Sequence, residues 1–300
     1  MKDAQMTTEQ RTADFELERQ RLIRLGYRML GSISEAEDVA QDAWLRFAAA
    51  EATIDAPAAY LTRIVTRLCL DRLKSARMRR ETYVGPWLPE PLISDVEPDE
   101  AAADDITVTL MLAMERLSPL ERAAFLLHDI FDVALGEVAL TLGREPAAVR
   151  QLASRARKHV QDARPRYALD AAEGDRIARA FFAAARDGDT GALSALLAED
   201  VAIHMDGGGK VLAFHNVVQG VDRVRRLYAS LHRKAPKPPR LLRMVTIDGL
   251  PGYVSIDGRE VLQTTALEIR NDRIVAIYIV SNPEKLMRVQ SFTSASAPGP

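Results

Sequence analysis

The residues with the clearest chemistry lie between 146 and 160, PAAVRQLASRARKHV. If Val149, Leu152, Ala153, Ala156 and Val160 are buried at helical spacing, the opposite face carries Ala148, Arg150, Gln151, Ser154, Arg155, Arg157 and Lys158. Small residues allow close approach, Arg and Gln make paired hydrogen bonds to base edges, and Ser and Lys reach phosphates. A solvated helix face has a similar composition, so context decides. Leu135 to Leu142 reads as a preceding helix joined by Gly143-Arg144-Glu145, which makes a helix-turn-helix. Glu145 stands where a hydroxyl-bearing cap is commoner, and it leaves the exact base contacts open.

Two further stretches pair with charged partners. Residues 63 to 80 hold Arg63, Arg67, Arg72, Lys74, Arg77, Arg79 and Arg80 against Asp71 alone, a composition built for polyanions. Upstream, a helix over Glu35 to Phe47 turns Val39, Ala40, Ala43 and Phe47 inward and leaves Asp38, Gln41 and Asp42 outward, suited to a basic partner.

The elements that must hold these side chains follow from length and pattern. Three hundred residues suit two or three units. A hydrophobic fraction of 47% with 27% charge is that of a globular chain with real cores. The net charge of −2 hides local fields, because residues 81 to 105 are acidic and contain no basic residue. No apolar run reaches the roughly 18 residues of a membrane span, and the N-terminus is too polar for a secretory signal, so a cytoplasmic protein without a membrane partner is expected. Cys69 is the only cysteine, which excludes an internal disulfide and a cysteine-based zinc site; it reads as an inert buried thiol, and neither metal nor cofactor is expected.

Residues 1–80 read as a helical domain, with a capping box at Ser34 and Glu37 and a helix start at Pro57. Residues 81–107, acidic and rich in proline, read as an extended linker. A second helical domain, 108–166, opens at Ser118-Pro119-Leu120-Glu121 and holds three short helices. From 171 to 290 two helices, a third over Val221 to Leu231, and alternating strands with turns at Asp257-Gly258 and Asn271-Asp272 imply an α+β domain with a curved sheet. Residues 291–300 read as a frayed tail.

Taken in order, these motifs resemble the extracytoplasmic-function sigma factors. The Glu35 to Phe47 helix is similar to the second conserved sigma region, whose acidic and amide face docks on the clamp helices of the largest subunit of RNA polymerase; the resemblance assigns Asp38, Gln41 and Asp42 to that contact. Residues 57 to 80 then correspond to the part that opens promoter DNA near the start site, along a basic track for single-stranded phosphates, with the loop 48 to 56 as the base pocket. Residues 115 to 160 resemble the fourth region, which reads the upstream promoter element. Trp87-Leu88-Pro89-Glu90-Pro91-Leu92 matches a motif of one sigma group that carries a SnoaL-like extension. The same group has elements similar to Asp206-Gly207-Gly208-Gly209-Lys210 and to Asn282-Pro283-Glu284-Lys285-Leu286, Glu284 being a conservative departure. The resemblance spans roughly residues 15 to 290 and implies a multidomain chain, two all-α sigma domains plus an NTF2-like (SnoaL-like) α+β cone, monomeric when free.

Some SnoaL-like relatives are enzymes. Candidates here are His204, Asp206, Tyr228, Tyr253 and Tyr278, but no spacing forces them into one site, and Asp206 to Lys210 lacks the P-loop pattern. The expectation is therefore no enzyme, but an in-chain regulator built from the three short elements, with room for a small ligand in the C-terminal pocket. The alternative is a helix-turn-helix regulator fused to a SnoaL-like enzyme or ligand-binding domain.

Overall fold

The computed structural model describes residues 7–52, 54–81, 83–94, 107–161 and 170–294; in the third helix the description of side chains stops at Lys74. Arg77, Arg79 and Arg80 of the basic track lie outside the described side chains. The chain divides into two compact units, residues 1–81 with 111–163, and residues 82–110 with 164–300.

In the first unit, α1 (Thr8–Leu30), α2 (Ile33–Ala48) and α3 (Pro57–Glu81) pack around Leu22, Leu25, Met29, Val39, Ala43, Phe47, Leu61 and Val65. Gly26 lets α1 and α2 approach closely, since a Cβ there would stand 3.0 Å from the Cβ of Ala36. Gly31 ends α1 in the left-handed region, so Ser32 takes the extended capping position and accepts from the Glu35 amide. The expected capping box at Ser34 and Glu37 is therefore displaced by two residues: Ser34 lies inside the helix, its hydroxyl 3.0 Å from that of Ser32.

The rest of this unit is α4 (Val108–Met114, of which 111 onward belongs here), α5 (Pro119–Phe125), a π turn at Leu126–Ile130, α6 (Leu135–Leu142) and α7 (Pro146–Val160). Ser118 and Glu121 form the full capping box that starts α5. Helix α4 lies ahead of the predicted start at Ser118 and was not anticipated. Gly143 closes α6 with φ 61° and turns the chain into α7. Helix α3 packs on α5 and α6, so the two helical domains form one body. Arg122, 4% exposed, fastens them: it donates to the Met29 carbonyl at 2.8 Å, to the Met114 carbonyl at 3.2 Å and to Glu115 at 2.5 Å. Burial pulls its pKa down to about 10, which leaves the guanidinium charged at neutral pH.

The second unit holds α8 (Ala171–Asp187), α9 (Thr190–Leu196), α10 (Val221–Lys234), α11 (Met287–Ser294) and a seven-stranded sheet, β1 (Ile93–Ser94), β2 (Leu197–Asp206), β3 (Val218–Gln219), β4 (Arg240–Ile247), β5 (Leu250–Ile256), β6 (Leu262–Arg270) and β7 (Arg273–Val280). The strand order is β1-β4-β5-β6-β7-β2-β3, with β2 and β7 parallel and the other pairs antiparallel. Irregularities in β2, β4 and β6 bend it, giving a curved α+β cone. One face packs on the helices through Ile177, Phe181, Val201, Ile203, Leu267 and Ile277.

The opposite face is also covered, and by the segment expected as a linker. Leu88, Pro89 and Pro91 are buried, and with Val108 they close over Thr264, Ala266, Tyr278 and Val280, leaving a void of about 10 Å³, room for one water. Ile93 and Ser94 add an edge strand to β4, flanked by Asp248 N donating to the Leu92 carbonyl at 2.9 Å. Burial on two faces explains why most of β7 is buried at successive positions instead of alternating. Among the described residues no helix is long and apolar enough to cross a membrane, and no cluster of His, Cys, Asp or Glu is arranged to hold a metal ion.

Candidate sites: the recognition helix and the Asp206 hub

Helix α7 buries Val149, Leu152, Ala153, Ala156 and Val160, and exposes Arg150, Gln151, Ser154, Arg155, Arg157 and Lys158, with Ala148 half-buried. On its outer surface Ala147, Arg150, Gln151, Ser154 and Arg155 form one exposed patch open to solvent. Ala147 was missed by the sequence reading; as a small exposed side chain beside Arg150 and Gln151 it allows close approach. Two arginines are already engaged. Arg155 pairs with Glu121 at 3.2 Å and Arg157 with Asp129 at 2.6 Å. Burial pushes the Glu121 carboxyl up, but the Ser118 hydrogen bonds and Arg155 outweigh it and hold it below the usual range. Glu145 makes no side-chain cap to α7.

On α2, Asp38 and Gln41 are exposed and Asp42 is half-exposed. Leu45, 57% exposed, completes their stripe at i+3, i+4 and i+7 from Asp38 and was not singled out from sequence. Arg72 does not project freely from α3: it donates to the Glu35 carbonyl at 3.1 Å and pairs with Asp42 at 3.3 Å and Asp38 at 3.7 Å. Arg67 and Lys74 are exposed, Lys74 pairing with Asp71, while Arg63 is half-buried.

In the second unit the three short elements meet on one carboxylate. Asp206, at the end of β2, is fully buried. Its Oδ1 accepts from the Tyr83 hydroxyl at 2.6 Å and Gly208 N at 3.0 Å; its Oδ2 accepts from Leu88 N at 2.9 Å and Lys285 Nζ at 2.7 Å. Its carbonyl accepts from Ser281 N and Asn282 N. Lys285 also donates to the Leu88 carbonyl and stands 4.4 Å from the Trp87 ring centroid, a cation–π contact. Asn282 donates to the Tyr83 hydroxyl at 2.9 Å and caps the short turn Pro283–Lys285. Burial, then the bond to Asp206, pushes the Tyr83 phenol above its usual range. Gly208 has φ 62° and lies against the Asn282 side chain where a Cβ would overlap; Gly209 faces Val84. Lys210 pairs with Glu284 at the surface, Leu286 is buried, and Pro283 is exposed. Gly207 is buried against Val211 and Ala213. Glu90, also buried, lies 4.0 Å from Arg288, and Leu92 is partly exposed. Tyr83 is a further residue of this cluster that sequence reading overlooked; its position four residues before Trp87 was the available signal.

Other candidates do not converge. His204 stacks on Tyr278 at 5.3 Å, on the face covered by residues 88–91 and 108. Glu268 accepts there from Thr109 at 2.7 Å and Tyr278 at 3.1 Å. Tyr228 and Tyr253 lie on the helix-covered face, stacked edge-on against Phe181 and Phe182. Burial lowers the His204 pKa, outweighing the opposing pull of Glu268. The folded state thus binds fewer protons than the unfolded one below about pH 6.5, and stability from this site falls as pH drops from there through the depressed folded pKa. His204→Phe should flatten that part of the stability–pH curve, measured by urea unfolding between about pH 5 and 7; an unaltered slope would refute the assignment.

A helix-turn-helix with a basic recognition surface, packed on a helical bundle and followed by a cone that holds the intervening segment, defines a DNA-reading transcription factor with a fused α+β domain. Residues 15–79 match the Sigma-70 region 2 family and residues 107–160 the Sigma-70 region 4 family. The chain is 38% identical over 288 residues to the ECF RNA polymerase sigma factor SigJ of Mycobacterium tuberculosis, covering 91% of this chain and 92% of that one. It is 32% identical over 281 residues to the probable ECF RNA polymerase sigma factor SigI of the same species, covering 92% and 94%. The crystal structure of SigJ superposes with a TM-score of 0.74 at 33% identity, over 92% of this chain and 98% of that one. The chain belongs to the extracytoplasmic-function sigma factors and directs promoter-specific transcription initiation.

Proposed function

We propose that the cone regulates this sigma factor in cis, by holding residues 83–94 through the Asp206 hub. The observation that carries the reading is the number of partners on one buried carboxylate: donors from Tyr83, Leu88 and Lys285 converge on Asp206. A tethered segment needs little intrinsic affinity, because a short linker keeps its effective concentration near about a millimolar. Residues 80–106 lie between the two matched sigma regions, so holding 83–94 on the cone restricts how far those regions can separate on polymerase. Run-off transcription with polymerase core tests this. The double variant Trp87→Ala, Leu88→Ala should change the yield from a cognate promoter, as should removal of residues beyond about 170; yields equal to wild type in both would sink the proposal.

Core polymerase and promoter DNA are the partners. The α2 stripe of Asp38, Gln41, Asp42 and Leu45 is our candidate for the clamp-helix contact, acidic and polar with an apolar end at Leu45. In region 2, Arg63, Arg67 and Lys74 serve the single-stranded DNA track, together with Arg77, Arg79 and Arg80, whereas Arg72 orients the acidic stripe. In region 4 the outward residues Arg150, Gln151 and Ser154 of α7 read bases, and Arg155, Arg157 and Lys158 position the helix on phosphates. Arg150→Ala should then cost about 1–3 kcal/mol of discrimination between cognate and mismatched upstream elements, whereas Arg157→Ala should weaken binding to both alike. Competition binding distinguishes them; equal loss of discrimination in the two variants contradicts the assignment. The cone does no chemistry in this reading, because its helix-covered face is filled by Phe181, Phe182, Tyr228 and Tyr253. A cytoplasmic monomer completes the proposal.

A further inference from the structure

Helix α10 carries a charge pattern that the cone's regulatory role leaves unexplained. From Asp222 to Arg243 the chain holds Arg223, Arg225, Arg226, Arg233, Lys234, Lys237, Arg240 and Arg243 against that one aspartate. Val224 is buried in the cone, and Leu227, Tyr228 and Leu231 are partly buried. Arg223, Arg226 and Arg233, at i, i+3 and i+10, therefore share the outward stripe with Ser230 and Lys234, and all four charged residues are exposed.

Neighbouring α8 shows what a solvated helix of this unit looks like. Its arginines each have an acidic partner: Arg176 with Glu173, Arg179 with Asp175, Arg186 with Asp187. On α10, Arg225 alone reaches Asp222, at 3.5 Å. No carboxylate among the described residues forms an ion pair with Arg223, Arg226, Arg233 or Lys234. Helix energetics account for half of this. Arg233 and Lys234 lie in the last turn, where cations complement the helix dipole, but Arg223 lies in the first turn and Arg226 just after it, where a cation is unfavourable. Unpaired positive charge placed against the dipole points to an external anion.

We infer that the outward stripe of α10 binds the phosphate backbone of duplex DNA, so that the regulatory cone is itself a sequence-independent DNA contact. The stripe from Arg223 to Arg233 is about 15 Å long, and duplex DNA offers one phosphate charge per about 1.7 Å of axis. Several phosphates therefore lie within reach, and Ser230 between the arginines adds a hydroxyl donor. DNA is the polyanion that this chain's established role brings to it, and the inference holds whether or not residues 83–94 are released.

The test is fluorescence anisotropy of the full chain on a promoter-free, mixed-sequence duplex, titrated at several salt concentrations from about 50 to 200 mM. The triple variant Arg223→Gln, Arg226→Gln, Arg233→Gln should bind about tenfold or more weakly at the low end and lose about 2–3 from the slope of log affinity against log salt. The matched triple Arg176→Gln, Arg179→Gln, Arg186→Gln removes the same net charge from α8 and should keep the wild-type slope. Lys at the three α10 positions should restore it. An α10 slope within one unit of wild type overturns the inference, as does an equal loss in the α8 variant, which would mean that net charge alone is at work. Circular dichroism melts of all three variants verify that only surface charge has changed.

Discussion

Replacing Asp206 by Asn should open the 83–92 segment from the cone and raise the exchange rate of the Leu88 amide by about 10²- to 10³-fold. The amide donates to Asp206 Oδ2, the same oxygen that meets Lys285 Nζ at 2.7 Å. Asparagine keeps the shape but removes the charge and turns one acceptor into a donor, so an ammonium only 15% exposed loses the carboxylate it meets at 2.7 Å. Breaking one partner of a buried ion pair costs about 3–5 kcal/mol. The second change Lys285→Met should recover part of that loss, because the buried charge that paired with Asp206 goes with it; a double-mutant cycle on Leu88 exchange measures the coupling. If Asp206→Asn leaves the Leu88 amide as protected as in wild type, the hub is not what holds the segment. If protection falls and run-off transcription stays constant, the hub is structural and the regulatory reading fails separately.

The second large effect is expected at Arg122→Met. Methionine keeps most of the side chain's length and its packing against the buried face of α5, but loses the donors to the Met29 and Met114 carbonyls and to Glu115. Met29 lies in the last turn of α1, where carbonyls have no partner within the helix. The change should cost about 3–5 kcal/mol and loosen the packing between the two sigma regions. Dyes attached at Glu51 and Glu145, both exposed, report that distance by energy transfer. Native Cys69 will not compete for label: it is fully buried, and desolvation pushes its thiol above the usual range. Lower transfer efficiency is expected, together with faster assembly onto polymerase core, because the proposed function has the two regions separate on polymerase. Unchanged efficiency would show that α3 holds α5 and α6 without Arg122.

What could be read in advance was local. The buried and exposed faces of α7 follow from a 3.6-residue period within fifteen residues, and the start of α5 follows from Ser118 and Glu121 three positions apart. Where two local solutions competed, the sequence could not choose. Ser32 with Glu35 and Ser34 with Glu37 both satisfy the capping pattern, and the left-handed turn at Gly31 selects the first. The two-residue strand β1 is too short to show alternation, and its partner Ile247 lies some 150 positions away. A shorter separation, 28 positions from Asp129 to Arg157, was enough to hide which arginines of α7 are engaged, because Glu121 and Asp129 come from α5 and the π turn.

The sequence by itself determined the order of the sigma regions, the recognition surface and the presence of three short elements around Trp87, Asp206 and Asn282, because composition and period act over a few residues. Only the tertiary structure decided that these elements close on one buried carboxylate, that Tyr83 belongs with them and that residues 88–94 of the supposed linker pack on the cone, Ile93 and Ser94 as an edge strand. The reason is physical: a buried charge is tolerated only where several donors converge on it, and here they arrive from positions 83, 88, 208 and 285, a convergence that no local pattern encodes.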